Sequence, residues 1–308
     1  MIEKTDKTHI VSFSGGRTSA YMVWLFEQEK KRNPDMKVEY IFNDTGAEHP
    51  KTYEFIRNVV KYFNIDLTCL RAKVSSEVGV GTSYKVIPLS ECCPDLQPFK
   101  DVCEKYSTPS YTFSHCTREM KLVPSRKYCK NTFGANGYLT WLGIRIDEPK
   151  RLNVVDNQID AFAEDKKIDR SKANVRYLAS ISNLDKKDVL DFWRLMDFNL
   201  DLDEHLGNCV FCVKKSINKV ALAARDEPEM AEEFIKMVDS SSIQARKAAL
   251  MPKEVMYRGS NSLSSVMTYY KEHEREEIAQ TIRGMKSEAS GSCGESCETI
   301  DDLFSDLN

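Results

Sequence analysis

The succession of short apolar runs, glycine turns and helical periodicity in the first part of the chain most constrains its fold. His9–Phe13 is a β-branched and aromatic run that ends at the Ser-Gly-Gly turn of residues 14–16, and helical spacing follows over Thr18–Gln28. The same order recurs, with a strand pattern over Val38–Phe42 and a helical pattern over Pro50–Phe63. Because strands that alternate with helices pair through right-handed crossovers, this pattern predicts an α/β fold with a parallel sheet.

Two further strands are predicted at Asp66–Arg71 and Tyr138–Ile144. Between them, residues 73–114 show little periodicity and are predicted to form a long irregular excursion over the sheet edge. Helical spacing dominates from Leu184 onward, and the last residues are rich in Ser, Gly and acidic side chains. The predicted organisation is an α/β domain over residues 1–180, a helical region carrying a C-x-x-C over 181–286, and a flexible cysteine-containing tail over 287–308.

The composition predicts a cytoplasmic protein that does not enter membranes. Hydrophobic residues make up 41% and charged residues 30% of the 308 residues, and no apolar stretch is long enough to span a bilayer. The net charge of −3 and the pI near 6.1 argue against a chain built mainly to coat nucleic acid, whereas small anionic ligands fit. Because structural disulfides are uncommon in a reducing compartment, the ten cysteines favour metal binding or redox chemistry.

The segment Ser14–Ser19, SGGRTS, lies where the first predicted strand ends and the first helix begins. Glycines let main-chain amides approach an anion closely, and a helix N-terminus attracts negative charge. The hydroxyl groups of this segment and the Arg17 guanidinium would complete a phosphate cradle. From these six residues alone, an ordinary strand-to-helix turn with a serine cap is an equal alternative. The segment matches neither the P-loop pattern nor the dinucleotide-binding glycine pattern.

Five segments, taken in order, resemble the PP-loop ATP pyrophosphatases, a superfamily that includes the 3′-phosphoadenylyl sulfate (PAPS) reductases. SFSGGRTS resembles the SGG-x-x-S pyrophosphate loop of that superfamily. The later segments resemble motifs of the reductase group, and the last of them lacks the usual proline. These later segments are FNDTGAEHPKTYEFI, CTREMKLVP, WLGIRIDEPKR and YLASISNLDKKDVLDFW. The resemblance covers roughly residues 8–215.

The resemblance implies a twisted parallel sheet of the adenine nucleotide alpha hydrolase type, with the phosphate loop after the first strand. It implies that Asp44 and Thr45 lie near the nucleoside and that Arg145 contacts sulfate or phosphate. The resemblance also implies that Lys121 and Arg151 are catalytic. For Arg145 and Arg151, the alternative is a solvated loop in which they form surface ion pairs. The cofactor-binding residues expected on this basis are Ser14, Gly15, Gly16, Arg17, Thr18, Ser19, Asp44, Thr45 and Arg145.

The C-x-x-C formed by Cys209 and Cys212 has the spacing with which two thiolates of one turn hold a metal. In the iron–sulfur members of the reductase group, a distant cysteine pair supplies the remaining ligands. The resemblance places Cys116 at the first position of that pair and Thr117 at the second. The implied site is a 4Fe-4S cluster held by Cys116, Cys209 and Cys212, with one iron that lacks a cysteine. The alternatives are His115 as a fourth ligand, a zinc site, and buried cysteines without a metal.

Cys293 and Gly294 partly resemble the Glu-Cys-Gly tail on which assimilatory reductases carry their nucleophile, with Ser292 in place of the acid. A thiolate on a flexible arm can visit a site and then a reductant, and Cys297 could resolve an intermediate as a disulfide. The catalytic residues expected from the resemblance are therefore Cys293, Lys121 and Arg151. A tail whose cysteines have no specific role is the alternative.

Two enzymatic reactions fit these residues, and both act on an adenine nucleotide. In the reductive reaction the substrate is an adenylyl sulfate, Cys293 attacks its sulfur, and an electron-donor protein supplies the electrons. In the transfer reaction ATP is cleaved between its α and β phosphates with Mg²⁺, a substrate oxygen is adenylylated, and the open cluster delivers sulfur to a nucleic acid. A sulfur-donor protein is a further expected partner. Thr18 stands where pyrophosphatases usually carry an acid, which favours a third alternative, a catalytically inactive nucleotide-binding accessory protein. Each alternative is compatible with an oligomer.

Overall fold

The computed structural model describes residues 2–148, 151–152, 154–155, 158–159, 174–247 and 255–288. The strand–turn–helix order predicted for the first part of the chain is confirmed. In this part the strands and helices are β1 (Thr8–Ser12), α1 (Arg17–Arg32), β2 (Val38–Asn43), α2 (Pro50–Phe63), β3 (Leu67–Lys73), β4 (Ser83–Ile87), α3 (Gln97–Tyr106), α4 (His115–Thr117), α5 (Val123–Phe133) and β5 (Tyr138–Leu142). The later elements are β6 (Val154–Val155), β7 (Gln158–Ile159), β8 (Val175–Tyr177), α6 (Lys186–Arg194), α7 (Ile217–Asp226), α8 (Pro228–Val238), α9 (Ser241–Lys247), α10 (Leu263–Tyr269) and α11 (Arg275–Glu288).

Six strands form one sheet in the order β4-β3-β2-β1-β5-β8, and all neighbours are parallel except β3 and β4. The predicted α/β fold is therefore confirmed. The parallel register pairs Ser12 with Ile41 and Val11 with Trp141, so that β1, β2 and β5 end at the same edge of the sheet. This carboxyl edge is where open α/β sheets bind ligands.

One face of the sheet is covered by α1, α2 and α6, whose aromatic side chains form a continuous core. Phe26 packs against Trp141 of β5 with a ring-centroid distance of 5.2 Å, and Phe55 packs against Trp193 at 5.1 Å. Burial of such large apolar side chains supplies the main driving force for this packing. Because Trp193 belongs to α6, that helix packs with the α/β layer although it lies beyond the predicted boundary at residue 180.

A second core joins helices α7, α8, α10 and α11 to α3 and to the segment that contains Val210 and Phe211. Helix α7 carries Val220, Leu222 and several alanines, so that apolar side chains lie on nearly all of its sides. It is therefore buried at the centre of this core. None of the described helices combines the length and the apolar character that crossing a membrane requires. Of the predicted tail, residues 289–308 lie outside the described part of the chain.

The prediction of an irregular excursion over residues 73–114 was wrong. The antiparallel edge strand β4 and the helix α3 both lie within it. Helix α3 buries Phe99, Val102 and Cys103 on one face, the spacing expected of an amphipathic helix, and Pro98 occupies its first turn, where the missing N–H costs nothing. The prediction missed this helix because the cysteines and proline at residues 92–94, just before it, are typical of a loop. Its position matters, since α3 connects the sheet to the second core.

Candidate functional site

The predicted phosphate loop, Ser14–Ser19, is a tight turn at the carboxyl end of β1. Gly15 has a φ of +81°, and a Cβ atom on it would lie 2.7 Å from Cγ2 of Thr52, so glycine is required both by the backbone and by the neighbouring helix α2. The Ser19 hydroxyl accepts the N–H of Ser14 at 3.1 Å and donates to the carbonyl of Gly16 at 3.0 Å. These bonds fold the loop onto the start of α1.

The first turn of α1 presents its main-chain N–H groups without a side-chain cap. Its N-cap residue is Gly16, which has no side chain to accept a hydrogen bond, and no acidic residue lies in the first turn. Four N–H groups at a helix start have no partner within the helix, and the helix dipole places positive charge there. A 16-residue helix that starts in this way at the carboxyl edge of a sheet is suited to binding an anion.

Arg17 does not point into the loop but toward a segment far along the chain. Its Nε donates to Oδ1 of Asn199 at 2.9 Å, and its Nη2 donates to the carbonyl of Leu200. Residues Leu200 to Asn208 cover the loop and leave a cavity of about 10 Å³, which is room for about one water molecule. The loop is therefore nearly closed in this structure.

Arg145 and Arg151, predicted to contact sulfate or phosphate, lie just after β5 and are buried. Nη1 of Arg145 donates to the Thr18 hydroxyl at 3.0 Å, which links it directly to the phosphate loop. Glu148 pairs with Arg151 at 2.6 Å and also accepts the main-chain N–H of Arg145 at 3.1 Å. The two arginines thus belong to one buried cluster beside the loop rather than to a solvated surface. Both arginines contact Glu148.

A cavity of about 370 Å³ lies on the other face of the sheet, between the strands and α5, and reaches the carboxyl ends of β1, β2 and β5. Its floor is apolar and includes Ile10 and Ile41, whereas its rim carries hydroxyl, amide and cationic groups. An apolar cavity of this size with a few convergent polar groups is typical of a site for a small organic ligand. Lys121, predicted to be catalytic, lines it. The other polar rim residues were not identified from the sequence, and they are Ser12, Asn43, Ser125, Arg126, Lys130, Asn136, Thr140 and Asn174.

Lys121 lies in a π-helical turn, Arg118–Leu122, between α4 and α5. Pro124 follows in the first turn of α5 and has no N–H to donate, which removes one α-helical bond from this stretch. Single π-turns of this kind occur often at functional sites because they change the direction in which side chains leave the helix. The turn places Lys121 at the cavity and Cys116 of α4 at the second core.

Asp44 and Thr45, predicted to lie near the nucleoside, are fully buried in a hydrogen-bonded network. The guanidinium of Arg71 binds Asp44 at 2.6 Å, and the Tyr53 hydroxyl contacts both Asp44 at 2.8 Å and Glu48 at 3.0 Å. Burial raises the pKa of Tyr53 far above its ordinary value, and the two carboxylates raise it further. The Tyr53 hydroxyl therefore stays protonated and links Asp44 to Glu48.

The same network reaches the cysteine at the start of the C-x-x-C. The Thr45 hydroxyl donates to Glu48 at 2.7 Å and lies 3.3 Å from Sγ of Cys209. A β-bridge between Glu48 and Cys209, together with the bond from the Val210 N–H to the Ala47 carbonyl at 2.9 Å, holds the two segments together. Sequence reasoning missed Glu48, because a single acid in a loop gives no signal of its burial.

The buried Tyr257 belongs to the core against which Cys116 and Cys212 pack. Burial raises the pKa of Tyr257 well above its ordinary value, and Cys212 and Cys116 raise it further, in that order. The Tyr257 hydroxyl donates to the carbonyl of Phe211, inside the C-x-x-C, at 2.9 Å. The structure thus brings the three predicted ligands, Cys116, Cys209 and Cys212, into one region at the edge of the second core.

The structure also contains a group of potential metal ligands that does not include the three cysteines. Among the described residues, the group of three acidic, histidine or cysteine side chains whose ligand atoms all lie within 4.8 Å of one another is Asp203, His205 and Asp226. The guanidinium of Arg275 already binds both oxygens of Asp226, at 2.7 and 2.8 Å, so a cation occupies that acidic group.

His115, the alternative fourth ligand, is buried next to Cys116. Its Nε2 donates to the carbonyl of Ser107 at 3.1 Å, which leaves Nδ1 as an acceptor. That Nδ1 atom has no hydrogen-bond partner among the described residues. Burial lowers the pKa of His115 to about 4, so the imidazole is neutral near pH 7 and has a lone pair available on Nδ1.

The proposed nucleophile Cys293, with Cys297, lies outside the described residues, so its predicted role stays a prediction. Thr18, Ser19 and Arg145 are brought together, whereas Asp44 and Lys121 lie on different sides of the site. Asp44 belongs to the buried network that contains Arg71, whereas Lys121 lines the cavity of about 370 Å³.

Comparisons with known proteins agree with this architecture. The phosphoadenosine phosphosulfate reductase domain matches residues 8–200, which run from β1 to Leu200, the first residue of the segment that covers the phosphate loop. The uncharacterized nin region protein ORF290 of Escherichia phage lambda is 42% identical over 293 residues, which are 94% of each chain. Phosphoadenosine 5′-phosphosulfate reductases of Alteromonas mediterranea and Vibrio atlanticus are 42% and 36% identical over 69 and 75 residues, about a quarter of their own length. The chain therefore belongs to the phosphoadenosine phosphosulfate reductase domain family.

Proposed function

We propose that this chain is an enzyme that binds an adenine nucleotide at the carboxyl edge of its sheet and performs sulfur reduction or sulfur transfer on it. The observation that carries this proposal is the uncapped start of α1 behind Gly15, which lies at the same sheet edge as the cavity of about 370 Å³. The loop would hold the phosphates, and the cavity would hold the nucleoside. Family membership supports the same choice of ligand.

The charges around the two parts suit a ligand with several negative groups. Arg145 binds the Thr18 hydroxyl beside the loop, and Lys121, Arg126 and Lys130 line the cavity. Guanidinium and ammonium groups attract phosphate and sulfate oxygens, and low exposure strengthens that attraction because the screening by water is reduced. Arg151 would act through Glu148, which it holds beside Arg145. These residues would orient the ligand and neutralise the leaving phosphate.

In the reductive reaction, the thiolate of Cys293 would attack the sulfur of an adenylyl sulfate, and the nucleotide would leave with the bridging oxygen. A dithiol-bearing electron-donor protein would then supply two electrons and release sulfite. In the transfer reaction, ATP with Mg²⁺ would lose pyrophosphate as an acceptor oxygen of a nucleic acid is adenylylated. Sulfur from a donor protein would then displace the adenylate. Thr18 carries no charge to hold Mg²⁺, which makes reduction the first candidate.

A 4Fe-4S cluster held by Cys116, Cys209 and Cys212 is part of this proposal. The donor set fits, because thiolates are the ligands of such clusters and the three cysteines belong to one core. The partnerless Nδ1 of His115 adds a neutral nitrogen donor beside Cys116. Bound there, a cluster would supply attraction for an anionic substrate or an iron with an open coordination position. Zinc, which prefers four close ligands, is the second candidate.

The first experiment separates the reactions by their products. The protein, purified without oxygen, would be incubated with ATP or with adenylyl sulfates and a dithiol reductant, and released pyrophosphate and sulfite would be measured. Sulfite supports reduction, and pyrophosphate supports transfer. Tight nucleotide binding without either product would support the accessory alternative. The variant Ser19→Ala, which removes both loop-closing hydrogen bonds of that hydroxyl, should abolish either product.

The second experiment tests the cluster through iron and labile sulfide in the purified protein. Cys116→Ser, Cys209→Ser and Cys212→Ser should each lower both contents severalfold. Cys93→Ser is the matched control, because Cys93 is partly exposed, as Cys116 and Cys212 are, and contacts Asp95. Equal metal content in all four variants would contradict the assignment, and zinc without sulfide would replace the cluster by a zinc site.

A further inference from the structure

The nine residues from Leu200 to Asn208, called the strap here, lie directly on the phosphate loop. Leu200, Leu202, Asp203, Glu204 and Gly207 border the same small cavity as the loop residues. About 10 Å³ is too little for even one phosphate group, which is several times larger than a water molecule. From the side that the strap covers, an anion can therefore enter the loop only if the strap moves.

The strap is also acidic. Its sequence contains three carboxylates, those of Asp201, Asp203 and Glu204, and it lies over a helix start that attracts negative charge. It further engages Arg17, the cation of the loop, through the Leu200 carbonyl. The strap thus offers a carbonyl oxygen to Arg17 and brings negative charge near the start of α1. In this respect it is an internal competitor for an anionic ligand.

Two lysines from different helices hold the strap in place through Glu204. Lys186 of α6 binds it at 2.5 Å and Lys219 of α7 at 2.9 Å, and all three side chains are at least two-thirds buried. Asp203 adds a looser pair with Arg275 of α11 at 3.6 Å. Because partly buried ion pairs are screened less than exposed ones, the contacts of Glu204 contribute most to holding the strap.

The strap continues without interruption into the C-x-x-C. The ammonium group of Lys215 is buried and donates to the His205 carbonyl, in the strap, at 2.7 Å and to the Val210 carbonyl at 2.8 Å. One side chain therefore fastens the end of the strap to the turn between Cys209 and Cys212. A displacement of the strap moves these main-chain atoms together.

We propose that the strap closes the phosphate loop when no nucleotide is bound, and that binding of the nucleotide phosphates displaces it and thereby shifts Cys209 and Cys212. The strap is thus an autoinhibitory segment that couples the two halves of the site. Coupling is reciprocal, so a ligand that fixes the C-x-x-C also changes the affinity of the loop for phosphate. This inference rests on the proposed function, since it takes the phosphate loop to be the nucleotide site.

The affinity for inorganic pyrophosphate, measured by calorimetry, tests the competition. When the closed form dominates, part of the binding free energy is used to open the strap. Loosening the strap therefore raises the apparent affinity for pyrophosphate. Lys186→Met removes a contact of Glu204 and should tighten pyrophosphate binding about fivefold. The matched control is Lys187→Met on the same helix, because Lys187 is exposed and pairs with Asp191 of its own helix. Lys187→Met should leave the affinity unchanged.

Glu204→Gln gives a second variant and removes charge from the strap itself. It should also tighten binding about fivefold, and the double variant with Lys186→Met should add little, because both changes weaken one contact. Asp197→Asn is its control, since Asp197 is exposed and lies three residues before the strap. Equal affinity of wild type, Lys186→Met and Glu204→Gln would overturn the strap proposal while the nucleotide site stands.

Hydrogen–deuterium exchange of the full chain provides the second readout. Pyrophosphate should slow exchange at residues 17–19 of α1 and speed it at residues 200–212, two changes of opposite sign. Slower exchange in both regions would show that the strap closes over the ligand, and would overturn the proposal. Failure of pyrophosphate to bind any variant would overturn the proposed nucleotide site and the role of the strap with it.

Discussion

The phosphate loop and the C-x-x-C turn lie at two ends of one site, but different forces hold them. The loop is fixed by its own main chain and one hydroxyl, with Gly15 in a left-handed conformation and Ser19 closing the turn. The C-x-x-C turn is held by buried charged groups, above all Glu48 from a distant part of the chain and Lys215 just after the turn. A local turn can be recognised from six residues, whereas a turn held by distant charges cannot.

This difference predicts that the loss of one buried charge near the C-x-x-C destabilises the protein more than any change in the loop. Arg71→Met would leave Asp44, which has no exposed surface, without its cation at 2.6 Å. We expect the free energy of unfolding to fall by about 3–5 kcal/mol, as for other broken buried ion pairs. Urea unfolding followed by circular dichroism measures this change.

Arg32→Met is the control for Arg71→Met. The Arg32 side chain is 76% exposed and pairs with Glu29 of its own helix at 3.5 Å, a contact of the kind that contributes less than about 0.5 kcal/mol. Similar losses in both variants would mean that the network of Asp44, Tyr53 and Glu48 is no more important than a surface pair. The proposed contrast between the two regions would then be wrong.

The sequence predicted the parts of the site that depend on neighbouring residues and missed those that depend on register. The first strands, the glycine turn and the helix after it were predicted because each has a local pattern. The pairing of Arg71 with Asp44 follows from the parallel register, in which Asn43 lies opposite Leu70, and no single segment encodes that alignment. The same holds for the cavity, whose polar rim combines the ends of three strands with α5.

The strap was missed for a related reason. Residues 200–208 have an acidic pattern, and acidic patterns usually indicate a solvated loop, so nothing local shows that they cover the phosphate loop. Only the assembled fold brings Glu204 between Lys186 and Lys219. For the cysteines, the resemblance to a known family supplied the grouping of Cys116 with the C-x-x-C, which stays a prediction.

A substitution in the loop should have an intermediate effect that separates backbone strain from steric contact. Gly15→Ala places a Cβ 2.7 Å from Thr52 in a conformation with positive φ. Gly134→Ala is the matched control, since Gly134 has a φ of +76° but nothing within 4 Å of the added Cβ. We expect a loss of about 1 kcal/mol for Gly134→Ala and about 2–3 kcal/mol for Gly15→Ala, from thermal or urea unfolding.

The same pair of variants also separates stability from function. Gly15→Ala should abolish pyrophosphate binding, because the Cβ displaces the loop from α2, whereas Gly134→Ala should bind normally. If both variants lost the same stability, the contact with Thr52 would contribute nothing, and the loop would owe its shape to φ alone. Normal binding by Gly15→Ala would remove this loop from the nucleotide site.

The smallest expected effect concerns pH and the strand that leads into the loop. The Trp141 indole donates to Nδ1 of the buried His9 at 3.0 Å, so the imidazole must keep a lone pair there. Burial lowers the pKa of His9, with Glu3 raising it and Arg176 lowering it to a smaller extent. Between the lowered folded pKa and the unfolded value near 6.5, the unfolded chain binds more protons, so stability falls as the pH falls below about 6.5.

His9→Gln keeps a hydrogen-bond acceptor for Trp141 but cannot be protonated in this range. Its unfolding free energy, measured in urea at several pH values between 7.5 and 5, should therefore decline less steeply than that of the wild type. Curves that run parallel would show that His9 titrates equally in both states. A flattened curve would show that the strand before the loop depends on a neutral contact, in contrast to the charged pair of Arg71 and Asp44.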